Sequence, residues 1–386
     1  MSKKNISVYI HIPFCSKKCG YCDFITFACS SKYYEPYKNS LIKEITSFKK
    51  LQDYNIISIF VGGGTPTVFP EDFLAEIFTA LSIYNIDKNV EITVEANPGT
   101  LSLNKLRTLK NSGVNRLSIG LQAWQNKVLK KIDRNHTIEE FLKNYDNARR
   151  IGFENINVDL IFSLPYMKNE EIAFKLWYES IREITKLNPE HLSIYSLILE
   201  EKTLFFYEYE KGNLKIQSQE SDRRMYHFAI KYLQKKGYKH YEIANFSKGN
   251  RECIHNKVYW KRGEYIGFGL GAASFINNER QTNIKSLIEY NKKLASQNYK
   301  REDILLEKDI IDKKEAMEEF IYLGLRCTQG VNAKDFKQIF GENMWDIFRN
   351  PIQKNIHNNL LEKRDDVLKL TQKGLDISNI VFSDFI

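Results

Sequence analysis

The sequence has 386 residues, of which 27% are charged, and 57 Lys and Arg against 48 Asp and Glu give a net charge of +9. A chain of this length can hold one large α/β barrel or two to three smaller domains. The basic residues are spread along the chain instead of forming a block, so we expect a solvated surface and no nucleic-acid partner. No stretch has the length and apolarity of a membrane span or a signal-peptide core, so we expect a cytoplasmic protein.

Six short β-branched runs alternate with helical patterns up to residue 200, which predicts βαβ units around a parallel sheet. Helical patterns at 33–50 and 70–84 follow the first two runs. Six such units are typical of an open, partial (β/α)6 barrel. The predicted strands are residues 7–12, 56–61, 90–96, 116–121, 156–162 and 191–198.

The pattern changes after residue 200. A long helix is predicted at about 218–236, and residues 253–275 form an aromatic and Gly-rich segment that we expect to cap the barrel. The remainder is mainly helical and ends in a predicted hairpin about a charged turn, followed by a short helix, as in a winged helix. The predicted domains are a barrel at 1–235, a barrel-capping extension at 236–312 and a winged-helix-like C-terminal domain at 313–386.

Residues suited to catalysis or ligand binding follow the first four predicted strands. Cys15 follows the first, and the segments 62–67, 95–100 and 120–124 follow the next three. Functional loops of parallel α/β folds converge at the carboxyl ends of the strands. We therefore expect one site at this end of the barrel.

The stretch HIPFCSKKCGYCDF places Cys15, Cys19 and Cys22 on one loop. Three thiolates at this spacing can hold a compact centre of soft metal and leave one coordination position open. Two alternatives remain: a zinc site, with Cys29 or His11 as a fourth ligand, and three unrelated reduced cysteines. A zinc site would make the chain a zinc-stabilised binding module.

The segment CSKKCGYCDF resembles the CxxxCxΦC motif of radical S-adenosylmethionine (SAM) proteins, with Tyr21 at the aromatic position. The resemblance implies that Cys15, Cys19 and Cys22 bind three irons of a [4Fe-4S] cluster, and that the amino and carboxylate groups of SAM chelate the fourth iron. It also implies an electron donor, a flavodoxin or ferredoxin, for SAM cleavage to a deoxyadenosyl radical.

Further segments, which include GGGTPT, occur from about residue 7 to the tail in the same order as in the oxygen-independent coproporphyrinogen oxidase-like group. Within the radical SAM proteins, the sequence therefore resembles this group. Glycines after a strand let a backbone approach a ligand closely, as in GGGTPT. Polar Asp159 alternates with Asn155 and Asn157 where a packed barrel would be apolar. The SAM-binding residues implied by the resemblance are Tyr9, Tyr21, Gly63, Gly64, Thr65, Glu95, Gln122, Arg134 and Asp159.

This group has two main branches, the true oxidases and the heme chaperones. The oxidases carry a long N-terminal arm and a fourth cysteine two residues past the third, where this sequence has Phe24, and only fourteen residues precede Cys15. Both features favour a chaperone that binds heme and passes it to a heme-accepting protein; the alternative is porphyrinogen decarboxylation. Whether the chain is an enzyme therefore stays open. Membrane association is expected only through the recipient.

A heme ligand is suggested by HNKVYW, which resembles the HNxxYW motif of the chaperone branch. This implies His255 as a heme ligand, with Tyr259 and Trp260 as an aromatic wall. A hydrogen-bonded core histidine is the alternative for His255, and a small buried side chain is the expected role of Cys253.

The sequence departs from the family pattern at several positions, which bear on heme or substrate handling. Asp133 precedes Arg134 where glycine is usual, Ala123 replaces serine, Ala273 replaces histidine, and SLPYMK at 163–168 replaces Gly-Leu-Pro-Gly-Gln-Thr.

Overall fold

Six parallel strands form the centre of the computed structural model, which describes residues 3–28, 31–165 and 169–386. They pair in chain order, as the βαβ pattern predicts, and no pairing between β6 and β1 closes the barrel within those residues. The partial (β/α)6 barrel is thus confirmed. The strands are β1 Lys4–Ile12, β2 Tyr54–Gly63, β3 Ile86–Ala96, β4 Arg116–Gln122, β5 Ile156–Phe162 and β6 His191–Ser196.

Helices pack on the outside of this sheet because each connection between parallel strands must cross over. Ile6, Val8, Ile10 and Ile12 of β1 alternate along the strand, so they share one face, and they are fully buried in the main apolar core, whereas Ser7, Tyr9 and His11 lie on the other face. The helices are α1 Tyr34–Ser47, α2 Glu71–Leu81, α3 Leu103–Asn111, α4 Asn126–Lys131, α5 Ile138–Ile151, α6 Glu170–Lys186, α7 Leu204–Glu210 and α8 Gln219–Lys235.

The predicted strand limits match the observed ones at both ends only for 156–162; β1 begins at Lys4, three residues before the predicted run, and β2 extends two residues beyond its run at each end. β3 begins at Ile86, four residues before the predicted run, because residues 87–89 are polar and carry no apolar signal. β6 ends at Ser196, although the predicted run continues to Ile198, whose side chain is 65% exposed. An apolar residue in a loop was therefore mistaken for the end of a strand.

Short strands lengthen the sheet at both edges. On one side β9 pairs parallel to β1 and is followed by antiparallel β10, β11 and β12; on the other, β8 and β7 follow β6. The segment 253–275 forms α9 and then β9 and most of β10. The bounds are β7 Lys239–Glu242, β8 Asn245–Ser247, α9 Ile254–Trp260, β9 Tyr265–Phe268, β10 Ala273–Ile276, β11 Glu279–Asn283, α10 Leu287–Ala295 and β12 Leu305–Ile310.

The C-terminal region has its own apolar cluster, which includes Phe336, Leu368 and Val381. Its three-stranded sheet has the order β13-β15-β14, and β14 and β15 form a hairpin whose turn contains Asp365 and Asp366, as predicted. The elements are α11 Lys313–Gly324, β13 Val331–Asn332, α12 Ala333–Phe340, α13 Met344–Ile347, α14 Arg349–His357, β14 Leu361–Arg364, β15 Val367–Leu370, α15 Gln372–Asp376 and α16 Ser378–Ser383. Among all described helices, none is long and apolar enough to cross a membrane.

Candidate functional site

A cavity of about 470 Å³ lies at the carboxyl ends of the barrel strands, and we call it the cluster cavity. It gathers residues from all six barrel strands or the loops after them, as the strand-end rule predicts. Thr65 does not border it but contacts one of the cysteines. The predicted residues that border it are Tyr9, Cys15, Cys19, Tyr21, Cys22, Gly63, Gly64, Glu95, Gln122, Arg134, Asp159 and His255.

The cysteine loop is irregular and is held at its ends by backbone contacts. The Phe27 N–H donates to the Pro13 carbonyl at 2.7 Å, and the Cys22 N–H donates to the Cys19 carbonyl at 3.2 Å. Burial raises the pKa of the Cys15 and Cys22 thiols, and a coordinated metal would reverse this because it deprotonates a ligating thiol. All three thiols border the cavity, but in the described part of the chain no three His, Cys, Asp or Glu side chains are grouped as a ready metal site.

A chain of hydrogen bonds connects two of the cysteines through Asn97. The Asn97 amide donates to Thr65 Oγ1 at 2.7 Å, and Thr65 Oγ1 lies 3.5 Å from Cys15 Sγ. On its other side, Asn97 Oδ1 accepts from the Arg134 guanidinium at 2.5 Å, while Arg134 also donates to Cys19 Sγ at 3.5 Å and to the Gly120 carbonyl at 2.7 Å. These hydrogen bonds hold Arg134 beside the cysteine loop.

Glu95 reaches the cavity from the end of β3. Its Oε2 accepts the Gly63 N–H at 3.1 Å, and a side chain at Gly62 would lie 2.8 Å from the same oxygen. Burial, together with the nearby Asp159 carboxylate, raises the pKa of Glu95 to about 8. The adjacent glycines are therefore needed for close approach, and Glu95 is ready to accept a positive charge.

Asp159 lies on an inner barrel face that is polar, as its alternation with Asn157 predicts. Its two oxygens accept from Asn157 at 2.6 Å and Ser118 at 3.3 Å, and burial raises its pKa. Asn155 precedes the strand and is buried. Arg116 at the start of β4 is among the largest fully buried side chains, borders the cavity, and has no partner for Nε among the described residues.

Two residues beside the cavity have left-handed backbone. Gln122 has φ 71°, and it follows a bulge where β4 slips against β5. Asp133 has φ 59°, and its carboxylate accepts Lys17 Nζ at 2.9 Å. Aspartate tolerates this conformation better than most residues, so Asp133 replaces the family glycine without moving Arg134 away from its partners.

His255 is 1% exposed and lies on α9 against β2. Its Nδ1 lies 2.9 Å from Ser58 Oγ, its Nε2 lies 2.8 Å from the Tyr259 hydroxyl, and its ring stacks on Phe60 with centroids 5.1 Å apart. Burial lowers the pKa of His255 to about 3. The imidazole is neutral but occupied at both nitrogens.

The remaining candidate residues take other positions. His11 is not on the cluster cavity wall, since its Nδ1 bonds the Tyr9 hydroxyl and its Nε2 bonds the Ile25 carbonyl; it is therefore not placed as a fourth ligand. Cys29 lies outside the described residues, as do residues 166–168 of the SLPYMK segment. Cys253 is fully buried, as expected.

The other departures fall on or near the barrel. Ala123 is buried in an apolar cluster, Ser163 has φ 61°, where glycine would be unstrained, and Ala273 borders a second cavity described below.

Asn97 and Arg116 were missed by sequence reasoning. Asn97 stands in the EANPGT segment directly after β3, so the strand-end rule could have identified it. Arg116 opens β4, at the opposite end of the strand, where the rule predicts no ligand contact. Only the fold shows that its long side chain reaches the cavity.

The donor set fits an iron–sulfur cluster with SAM. Three soft thiols share one loop, glycines open the backbone beside Glu95, and the Nε of Arg134, like that of Arg116, is buried without a partner among the described residues. Carboxylates and guanidinium groups suit the amine and the carboxylate of an amino-acid ligand.

The chain matches two sequence families: the radical SAM superfamily over residues 9–174 and the HemN C-terminal domain over residues 311–377. It is 35% identical to the heme chaperone HemW of Bacillus subtilis (strain 168), across 98% of this chain and 99% of that protein. The HemW of Lactococcus lactis (strain IL1403) is also 35% identical, across 100% and 98%. Coproporphyrinogen III oxidase (HemN) from Escherichia coli, a radical SAM enzyme, shares the fold with a TM-score of 0.84 at 21% identity, across 100% of this chain and 90% of that structure.

Proposed function

Because the chain belongs to the HemW family of radical SAM proteins, we propose that it binds heme and transfers it to recipient proteins. The observation that carries this proposal is the position of the HNKVYW segment. His255 borders the cluster cavity. The Tyr259 and Trp260 side chains border a second, adjoining cavity, which we call the aromatic cavity. The candidate heme ligand and the candidate aromatic wall therefore lie next to the residues proposed to bind the cofactors.

We further propose that Cys15, Cys19 and Cys22 hold the [4Fe-4S] cluster and that Arg134 and Glu95 receive the carboxylate and amino groups of SAM. When bound, the cluster and SAM together would supply the chemistry of one-electron SAM cleavage. Gln122 and Asp159 border the same cavity and can bond ribose hydroxyls, while Tyr9 and Tyr21 add aromatic walls.

We propose that the His255 imidazole would hold the heme iron. Its low pKa keeps the imidazole neutral at physiological pH, as iron ligation requires. Both ring nitrogens are occupied, so ligation requires one hydrogen bond to break. The bond from Nε2 to the Tyr259 hydroxyl is the one next to the aromatic cavity, and a rotation of Tyr259 would free it.

Heme transfer rather than porphyrinogen decarboxylation is supported by Phe24. It occupies the position two residues past Cys22, where the oxidases carry a fourth cysteine, and its side chain is 62% exposed at the rim of both cavities. We propose that the partners are a heme-accepting protein and a flavodoxin or ferredoxin electron donor. We propose a cytoplasmic location, with any membrane association made through the recipient.

The proposal is tested by titrating the anaerobically reconstituted protein with hemin and following the absorption spectrum. Stable uptake, followed by transfer to apomyoglobin on mixing, is expected. His255→Ala is expected to shift the Soret band and to weaken uptake, whereas His357→Ala, at an exposed position, is the matched control and is expected to leave both unchanged.

The rival outcome is measured on the same preparation with SAM, dithionite and coproporphyrinogen III. Conversion to protoporphyrinogen, without stable hemin uptake, would replace the chaperone proposal with the oxidase. An unchanged spectrum for His255→Ala would remove only His255 from the proposal. Zinc in place of iron and sulfide would indicate a zinc-stabilised binding module.

A further inference from the structure

The aromatic cavity has a volume of about 580 Å³ and adjoins the cluster cavity. It lies between the end of the cysteine loop, α9, β9 to β11 and one residue of α11, Leu323. The two cavities share Tyr9, Phe24, Gly63, Glu95 and Tyr259, so they meet along one wall. None of the three cysteines borders the aromatic cavity. Its volume lies within the usual range for small-molecule sites, roughly 300–1,000 Å³.

Aromatic side chains dominate the walls of this cavity. Tyr259 and Tyr265 meet edge to face with ring centroids 4.6 Å apart, and Tyr265 lies 6.3 Å from Phe275. The Trp260 Nε1 atom is buried without a hydrogen-bond partner among the described residues. Flat, conjugated ligands pack well against such rings, so the walls suit a planar macrocycle.

Two arginines border the same cavity. Arg262 Nε and Arg280 Nη2 each donate to a different oxygen of buried Glu319 at 2.8 Å, and both guanidinium groups lie over the Phe275 ring. Arg262 also donates to Asn278 Oδ1 at 3.1 Å. Two cations share the Glu319 carboxylate, which leaves several guanidinium N–H donors for a ligand, and the carboxyl groups of Asp23 and Glu95 lie elsewhere on the cavity wall.

Arg262 is the second residue after the end of α9, and its backbone is left-handed, with φ 54°. This conformation costs an L-residue with a long side chain roughly 1–2 kcal/mol. Glycine or asparagine is the usual residue there. A strained residue that carries a guanidinium into a cavity points to a ligand with negative charge.

We propose that the aromatic cavity holds the heme that the chain carries, with the macrocycle against Tyr265, Phe275 and Trp260 and a propionate on Arg262 and Arg280. This inference rests on the proposed function. It places heme beside the cluster cavity instead of inside it, so heme and SAM occupy adjoining spaces. Tyr259 lies on the wall that the two cavities share, with its hydroxyl on His255 Nε2, and a rotation of Tyr259 would free that nitrogen as a ligand.

The test compares hemin with hemin dimethyl ester, which keeps the ring and iron but lacks the two carboxylates. A charge-assisted hydrogen bond contributes about 1.5–3 kcal/mol, so the wild type is expected to bind hemin about 10- to 100-fold more tightly than the ester. In the triple variant Arg262→Gln/Arg280→Gln/Glu319→Gln, which removes the cations without leaving Glu319 buried and unpaired, this ratio is expected to fall toward one.

Glu319→Gln alone supplies a change of opposite sign. It frees both guanidinium groups, so the preference for hemin over the ester is expected to rise severalfold. Arg349→Gln, at an exposed residue of α14 that pairs with Asp346, is the matched control and is expected to keep the wild-type ratio. Near-ultraviolet and far-ultraviolet circular dichroism establish that the variants are folded.

The outcomes separate the two proposals. A wild type that binds neither probe contradicts the proposed function and this inference with it. A wild type that binds both probes equally, a folded triple variant that keeps the wild-type ratio, or a Glu319→Gln variant whose ratio falls contradicts only the assignment of heme to the aromatic cavity.

Discussion

The cluster cavity and the aromatic cavity share a wall but differ in chemistry. The first is bordered by three thiols, two carboxylates and two arginines, whose partners are mostly polar groups of the barrel interior. The second is bordered by several aromatic rings, with an Arg–Glu–Arg group at its edge and the carboxyl groups of Asp23 and the shared Glu95 on its wall. One end of the barrel therefore offers two cavities of unlike chemistry, which suit the proposed zwitterionic amino-acid cofactor and the proposed dianionic macrocycle.

Removal of the three thiols is expected to have the largest effect on the difference between the two cavities. Cys15→Ser/Cys19→Ser/Cys22→Ser is expected to lose essentially all iron and acid-labile sulfide, because serine hydroxyls are poor ligands for soft metals. Hemin affinity is expected to change by less than about twofold, because the thiols do not border the aromatic cavity. Elemental analysis and a hemin titration measure the two effects.

The control for that variant is Cys327→Ser, which removes a partly buried thiol outside both cavities and is expected to keep iron and sulfide. Full iron in the triple serine variant would contradict the assignment of the cluster ligands. Loss of hemin binding together with the iron would contradict the separation of the two cavities.

The next largest effect is expected at Asn97. Asn97→Ala leaves the Arg134 guanidinium and the Thr65 hydroxyl without their shared partner, and each unsatisfied buried group costs about 1–3 kcal/mol. SAM affinity is expected to fall about 10- to 100-fold while hemin affinity stays constant, as equilibrium dialysis and absorption titration would show.

Asn104→Ala provides the comparison for this variant, because Asn104 is an exposed asparagine of α3 that bonds only an exposed arginine. It is expected to behave as wild type. If Asn97→Ala left SAM binding intact, the hydrogen-bond chain between Cys15 and Cys19 would have no role in holding the cofactor.

Glu95 is expected to make SAM binding, but not hemin binding, depend on pH. Its pKa of about 8 means that the carboxyl is largely protonated near pH 7, and a bound cation would favour the ionised form. Cofactor binding then releases a proton, so SAM affinity is expected to rise by up to about tenfold per pH unit from about pH 6 to pH 7.

Glu95→Gln is expected to remove this slope, whereas Glu154→Gln, at an exposed position, is expected to keep it. Hemin binding should lack the slope, because its propionates are anionic. Dialysis at several pH values measures the dependence, and an equal slope in the Glu95→Gln variant would show that Glu95 does not receive the cation.

The smallest effect is expected at the shared wall. Tyr259→Phe keeps the aromatic ring but removes the hydroxyl from His255 Nε2, so ligation no longer has to break that bond. A hydrogen bond contributes about 0.5–1.5 kcal/mol, so hemin affinity is expected to increase about 2- to 10-fold with no change in SAM affinity.

Tyr207→Phe is the control, because Tyr207 is 53% exposed on α7 and borders neither cavity. A Tyr259→Phe variant whose hemin affinity falls would indicate that the phenol itself contacts heme and that His255 stays in its hydrogen-bonded position.

The sequence predicts the cluster cavity well and the aromatic cavity poorly, for a physical reason. Cys15, Gly63 and Glu95 lie at or just after the ends of successive parallel strands, so the topology alone brings them together. Arg262, Arg280 and Glu319 meet only because β9 pairs with β1 and α11 contacts α9, so that Glu319 of α11 reaches both arginines. No local pattern reveals such a meeting of distant segments.

Other failures of prediction have similar causes. Arg116 was missed because its backbone lies at the wrong end of β4 and only its side-chain length reaches the cavity. His255 was identified from its motif, but the motif could not show that Ser58 and Tyr259 occupy both ring nitrogens. The proposed boundaries at residues 235 and 312 remain a prediction.

The central claim is that heme and SAM occupy adjoining cavities at the same time. It is tested most directly by measuring SAM binding to the reconstituted protein by equilibrium dialysis, with and without saturating hemin. Adjoining but separate sites require that the SAM dissociation constant change by less than about threefold when hemin is saturating. A dissociation constant that rises in proportion to hemin concentration would mean that both ligands compete for one cavity, and it would contradict the account.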